Sequence, residues 1–306
     1  MNASPESVAT NSDKALAGAL ISLRGLSSES LERIVGTMRT EHLSFGDAAL
    51  QLGLATPKDL EEASAWASGH DDGPSLIEIA IRRAQGSNSV ALRHGDVVRP
   101  SRQLTLIHDP DSPRSETIRA LRTELMLLIE DVRRGNICAL LSPGPAEGRS
   151  QLCAELAIAF AQLGRRTLLV DADLRHPRQH ILFSADNQWG LAQALALGET
   201  PYLYSVQGVP ELSLLTAGVI PPNPLELVSN RRFERLMDEW RRSYDFVLID
   251  TPPVSQYADA LAIATAARRV LVVSRTESTS FSGMKELLRR LAPTQARILG
   301  AVLNKF

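Results

Sequence analysis

The chain is short of several things, and each shortage narrows what it can be. It carries two cysteines in 306 residues. Cys138 falls in an apolar strand-like run and Cys153 in the helical run that follows; neither has metal-ligand spacing, so both are expected to be core residues in a reducing, cytosolic compartment. No apolar run approaches the ~20 residues of a membrane-spanning helix, and Met1 to Asp13 is polar, without the hydrophobic stretch of a signal peptide. Any membrane role is therefore expected to pass through a partner. Net charge is also nearly absent: 33 Lys+Arg against 35 Asp+Glu leave −2, which gives no global attraction to nucleic acid. Finally, no lysine occurs between Leu141 and Gln151, and tyrosine is confined to Tyr202, Tyr204, Tyr244 and Tyr257.

What is present divides into segments. Residues 1–13 are polar with little to bury and are expected to form a disordered tail. Residues 14–83 read as a small all-α domain of short helices broken by Gly25, Gly46, Gly53 and Thr56-Pro57, with Thr56 as N-cap and Pro57 at the first helical position. Two similar phrases, Leu20 to Ser27 and Ala49 to Thr56, suggest an internal duplication. Residues 84–111 are polar and irregular and read as a linker, with a possible short strand at Leu104 to Ile107. From Ser112 to Phe306, strands and helices alternate, the pattern of a parallel α/β sheet with helices on both faces. Strands are expected at Ile137 to Leu141, Thr167 to Val170, Leu212 to Leu215, Phe246 to Ile249, Val270 to Ser274 and Ile298 to Leu303. Helices are expected at Glu116 to Arg133, Gln151 to Leu163, Arg231 to Arg242, Ala258 to Ala266 and Ser282 to Leu291.

The chemistry lies in three separated places. Leu141-Ser142-Pro143-Gly144-Pro145-Ala146-Glu147-Gly148-Arg149-Ser150-Gln151 joins a strand to a helix, where backbone N–H groups and the helix's positive end can hold a phosphate. The Walker pattern places lysine on the β/γ-phosphates and a hydroxyl on Mg²⁺. Gly148 and Ser150 keep their places, but Arg149 replaces the lysine. The apolar strand Thr167 to Val170 runs into Asp171 and Asp173, which at i and i+2 project to the same side. A second such strand, from Phe246, ends in Asp250-Thr251-Pro252-Pro253. Ligands bind beyond the carboxyl ends of strands in an open parallel sheet, so one phosphate cradle and three carboxylates able to hold Mg²⁺ are expected to converge. His176 and His180, at i and i+4, have no third ligand in view and read as loop or interface histidines.

These motifs resemble the bacterial tyrosine autokinases of capsule and exopolysaccharide synthesis, a deviant-Walker branch of the P-loop proteins. The resemblance runs from Ser112 to Phe306. Glu116, Arg119 and Arg122 fit the Glu-x-x-Arg-x-x-Arg helix, which the resemblance implies is a self-association motif. Leu169 to Arg175 fits Asp-x-Asp-x-Arg, and His176-Pro177-Arg178-Gln179-His180 fits its continuation. Pro221 to Leu227 and Asp250 to Pro253 match two further stretches, and Asn304 resembles the residue that contacts adenine. The helical N-terminal domain is similar to that of a chain-length-determinant subgroup, itself like the N-terminal modules of secretion and pilus ATPases. Some of those modules bind cyclic di-GMP, but Ser44-Phe45-Gly46 stands where they have Arg-Leu-Gly, which argues against that ligand.

The resemblance implies a P-loop kinase-like fold, Mg-ATP, homo-oligomers and a membrane polysaccharide copolymerase as partner, with the chain cytoplasmic and peripheral to the inner membrane. Nucleotide contacts would come from Gly144, Glu147, Gly148, Arg149, Ser150, Gln151 and Asn304. Metal contacts would come from Ser150 with Asp171, Asp173 or Asp250, and one of Asp171 and Asp173 would accept the tyrosine proton, with Arg149 as the third catalytic residue. Departures bear on activity: Arg149 is larger and planar, Gln151 replaces a hydroxyl, and no tyrosine follows Tyr257, so tail autophosphorylation is not expected. If a tyrosine is modified, Tyr202 or Tyr204 is expected, in a loop between the helix near Leu191 and the strand near Leu212. A nucleotide-binding regulator without transfer is the alternative, and a positioning or partitioning ATPase, lacking its signature lysine here, is the third.

Overall fold

The structure, a computed structural model, describes Leu16, Leu20 and residues 28–41, 43–67, 94–129, 136–198 and 200–305. The expected tail, most of the first of the two similar phrases and the start of the expected linker lie outside the described residues. The chain divides into two compact units, Met1–Ala91 with Ala196–Thr200, and Leu92–Leu195 with Pro201–Phe306.

In the first unit the described helices are α1 (Ser28–Glu41), α2 (Phe45–Gln51) and α3 (Pro57–Ala67). Ser44 caps α2 by accepting from the Asp47 N–H, and Phe45 is fully buried. Thr56 Oγ1 accepts from the Asp59 N–H while Asp59 Oδ2 accepts from the Thr56 N–H, a reciprocal box at the start of α3.

The second unit runs β1 (His94–Val98), α4 (Thr105–His108), α5 (Pro113–Leu128), β2 (Asn136–Leu141), α6 (Arg149–Ala161), β3 (Thr167–Asp171), α7 (Gln179–Leu182), α8 (Leu191–Leu197), β4 (Leu203–Val206), β5 (Val209–Leu215), α9 (Pro224–Val228), α10 (Arg231–Ser243), β6 (Phe246–Asp250), α11 (Asp259–Ala267), β7 (Arg269–Arg275), α12 (Phe281–Leu291) and β8 (Arg297–Asn304). The sheet order is β1-β4-β5-β3-β6-β2-β7-β8. Every pairing is parallel except β4 with β5, so the expected parallel sheet is parallel-dominated and mixed. The central strands read as continuous buried runs because both faces are covered. Cys138, Leu140, Leu169, Leu248 and Leu271 share one core with α6, while the alternate positions Ala139, Val247, Ile249 and Val272 are buried as well, on the opposite face by the two-residue period.

Three expectations need correction. The segment 104–107 is a helical turn rather than a strand, and the expected linker contributes β1 to the sheet edge beside β4. Its short helix forms because a buried carboxylate serves it: Glu155 of α6 accepts from Thr105 N–H at 2.7 Å, Thr105 Oγ1 at 2.8 Å and Leu106 N–H at 3.0 Å. Tyr204 lies in a strand, not a loop; it is 4% exposed and donates its hydroxyl to the Asp186 carbonyl. Burial raises its pKa. Tyr202, half-buried, donates to Asp96 at 3.1 Å. The four-residue β4 has too short a period to announce itself.

Glu155→Gln replaces one oxygen by a donor facing the α4 N–H groups. Because hydrogen bonds to charged groups contribute about 1.5–3 kcal/mol each, a loss of about 2–3 kcal/mol is expected in denaturant unfolding; an unchanged midpoint would show that the cap is unimportant.

Candidate functional site

Register places the site. Asp171 pairs with Asp250 across β3 and β6, and Leu140 pairs with Asp250 across β2 and β6. The three strands that carry the motifs are therefore adjacent, and their carboxyl ends meet at the sheet centre. The continuation of β6 follows the phosphate loop: Val254 N–H donates to the Ser142 carbonyl at 3.0 Å and Ser255 N–H to the Pro143 carbonyl at 3.0 Å.

The loop itself turns on Gly148, whose φ of +82° is a left-handed conformation that side chains resist. The first intrahelical bond of α6 is Leu152 N–H to the Gly148 carbonyl. The N–H groups of Arg149, Ser150 and Gln151 consequently form a free helix end, the usual phosphate-binding arrangement. The Ser150 hydroxyl has no protein partner among the described residues. Gly144 N–H donates to Glu147 Oε1 at 3.1 Å, and burial raises the Glu147 pKa. Gln151, expected at the phosphates, has its side-chain amide on the Gln103 carbonyl at 2.8 Å. Asn304, expected at adenine, donates its amide to the Glu147 carbonyl at 2.9 Å and so braces the loop from β8.

Arg149 is 7% exposed and points back into the carboxylates. Its Nε donates to Asp250 Oδ1 at 3.2 Å, its Nη2 to Asp173 Oδ2 at 3.3 Å and its Nη1 to the Ser142 hydroxyl. Asp173 Oδ1 accepts from the N–H groups of His176 at 2.9 Å and Arg175 at 3.3 Å. Asp250 Oδ2 accepts from the Gln179 amide at 2.9 Å. Asp171 is committed differently: its oxygens accept from the backbone N–H groups of Asp173, Arg178 and Gln179, at 3.2, 2.9 and 2.9 Å. The structure thus gathers Arg149, Asp173 and Asp250, and uses Asp171 to shape the loop after β3. Burial first, then the Asp250 charge, raises the pKa of both Asp171 and Asp173.

The donor set fits a nucleotide phosphate at the helix end. It does not fit a divalent cation as arranged, since Asp173 and Asp250 already hold a guanidinium and Asp171 holds backbone. No cluster of three or more metal-ligating His, Cys, Asp or Glu side chains occurs among the described residues. Sequence reasoning passed over two members. Gln179, fully buried, ties Asp171, Asp250 and the Ser150 carbonyl together; its place in the His176 to His180 stretch was the available signal. Ser142 had none beyond its position in the loop.

Glu116, Arg119 and Arg122 lie on α5, away from the phosphate loop in sequence. Glu116 pairs with Arg119, whereas Arg122 Nη1 donates to the Ala159 carbonyl in the last turn of α6 at 3.0 Å. No helix among the described residues is long and apolar enough to cross a membrane.

A family model described as an AAA domain matches residues 146–303. Putative tyrosine-protein kinase EpsB of Ralstonia nicotianae is 39% identical over 281 residues, 91% of this chain and 36% of that protein. Tyrosine-protein kinase YwqD of Bacillus subtilis is 38% identical over 220 residues, 70% of this chain and 91% of that protein. The solved kinase domain of Escherichia coli tyrosine kinase ETK has a TM-score of 0.62 at 30% identity, over 66% of this chain and 79% of that one. The chain spans about a third of the length of the EpsB relatives it matches. It belongs to the bacterial tyrosine-protein kinase family.

The buried pairing makes a prediction of its own. Removing one partner of a buried ion pair strands the other, at a cost of about 3–5 kcal/mol. Arg149→Met, which leaves Asp173 and Asp250 buried without their cation, should therefore lower unfolding stability by about that much, and adding Asp250→Asn, which removes one of the two stranded charges, should recover part of it. Additive losses in the double variant would mean that the two side chains do not depend on each other.

Proposed function

We propose that this chain binds ATP through the loop 144–151 and acts as a tyrosine-kinase-like component of exopolysaccharide polymerisation and export, working with a membrane copolymerase that sets chain length. The observation that carries the reading is the meeting of a free helix end with Asp173 and Asp250 at the centre of the sheet. The N–H groups of Arg149, Ser150 and Gln151, with the Ser150 hydroxyl, bind phosphate oxygens. Asp173 is the better placed of the two carboxylates to accept a proton: its Oδ2 meets only the Arg149 side chain, while Asp171 is occupied by three backbone donors. In transfer, a tyrosine oxygen bonds to the γ-phosphorus, the bond to the ADP oxygen breaks, and the phenolic proton passes to an Asp173 oxygen.

A second reading, a nucleotide-binding regulator without efficient transfer, is favoured by one observation. The Arg149 side chain is turned onto Asp173 and Asp250, so the cation that would bridge the phosphates is engaged elsewhere and the base is ion-paired. Calorimetry with ATP and ADP tests the shared part: folded protein that binds neither removes the site. Labelled ATP incubated with the full chain, with and without the copolymerase's cytoplasmic segment, separates the two readings, since tyrosine labelling above background supports the first and binding without labelling the second.

Assembly through α5 is part of the same proposal. Arg119 and Glu116 form the outward pair, whereas Arg122 is anchored on α6. Arg119→Ala should abolish nucleotide-dependent oligomers in light scattering while leaving the unfolding midpoint in place, and Arg122→Ala should lower the midpoint as well. Unchanged oligomer mass for both variants would make these arginines ordinary surface charges.

A further inference from the structure

We propose that the Arg149 guanidinium stands in for the divalent cation at this site, so that a nucleoside di- or triphosphate binds the loop with little dependence on Mg²⁺. The inference rests on the nucleotide-binding reading above and concerns how that site balances its charge.

Two carboxylates from different strand ends approach each other here, and anions held side by side under cover from water need a cation between them. Arg149 supplies it from the first position of α6. Nε reaches Asp250 at 3.2 Å and Nη2 reaches Asp173 at 3.3 Å, with Nη1 anchored on Ser142. The three donors use three edges of one planar group, a geometry that a lysine ammonium on a single nitrogen cannot reproduce.

The remaining valences are filled as well. Asp250 Oδ2 takes the Gln179 amide, and Asp173 Oδ1 takes two backbone N–H groups. Ion-pair side chains at 8%, 4% and 0% exposure for Arg149, Asp173 and Asp250 leave water little access to loosen the contacts. A metal ion could reach these oxygens only by expelling a buried, triply bonded guanidinium and leaving it without partners, which is strongly unfavourable. A lysine at this position that reached the phosphates, as in the Walker pattern, would leave both carboxylates in need of another cation. The exchange of lysine for arginine and the loss of the metal requirement are one event in this geometry.

The test uses the full chain and ADP as probe, with dissociation constants measured by calorimetry in EDTA and in Mg²⁺. Wild type should change by less than about threefold between the two conditions. Arg149→Lys should bind about tenfold or more tightly with Mg²⁺ than without it, a gain of about 1.4 kcal/mol. Ser142→Ala keeps the guanidinium charge but releases Nη1, and should show an intermediate Mg²⁺ gain; thermal unfolding confirms that each variant is folded. A tenfold Mg²⁺ gain in wild type overturns the proposal, as does an equally small gain in wild type and Arg149→Lys. No ADP binding to any folded protein in either condition removes the nucleotide site itself, an outcome distinct from binding that depends on Mg²⁺.

Discussion

The in-register meeting of β3, β6 and β2 is the constraint on which the site depends. It sets Asp171 beside Asp250 and Leu140 beside Asp250, and so concentrates negative charge at the point where the phosphate loop begins. Everything near that point answers the charge: three backbone N–H groups turn to Asp171, the Gln179 amide turns to Asp250, and Arg149 closes the gap between Asp250 and Asp173. The conformation of residues 171–179 follows from electrostatic necessity at the end of β3 as much as from local propensity.

The same contacts change the meaning of a single substitution. In the Walker arrangement the cationic side chain at the start of the helix serves the ligand. Here it serves the protein, and its position at 7% exposure makes it part of the core as well as of the site. Stability and ligand chemistry are consequently coupled at Arg149, because whatever draws the guanidinium toward a phosphate also uncovers two carboxylates.

Much of this was legible in the sequence, for identifiable reasons. Central strands such as Thr167–Asp171 and Phe246–Asp250 are buried on both faces and print as uninterrupted apolar runs ending in Asp, and the strand–loop–helix order locates the phosphate loop directly. The partners of the motif residues were not legible. Gln151 and Asn304 were read as ligand contacts, yet their amides meet Gln103 and Glu147, 48 and 157 residues away in the chain. Such long-range pairings leave no local pattern. The strand at 203–206 was hidden by its length, and the helical turn at 105–108 by its dependence on Glu155, a carboxylate about 50 residues further on.

The α6 helix is held along its whole length by different neighbours: Gln151 and Glu155 grip the segment 103–106, and the Ala159 carbonyl receives Arg122 from α5. From Ser150 to Ala159 the axial distance is about 14 Å at the helical rise, and a hydrogen-bonded helix of that length moves as a rod. Its first turn faces the phosphate loop while its last turn carries α5. An axial displacement at the phosphate end must therefore be taken up at the α5 contact, which makes α6 a mechanical strut between the charge centre of the sheet and the outer helix of Glu116 and Arg119.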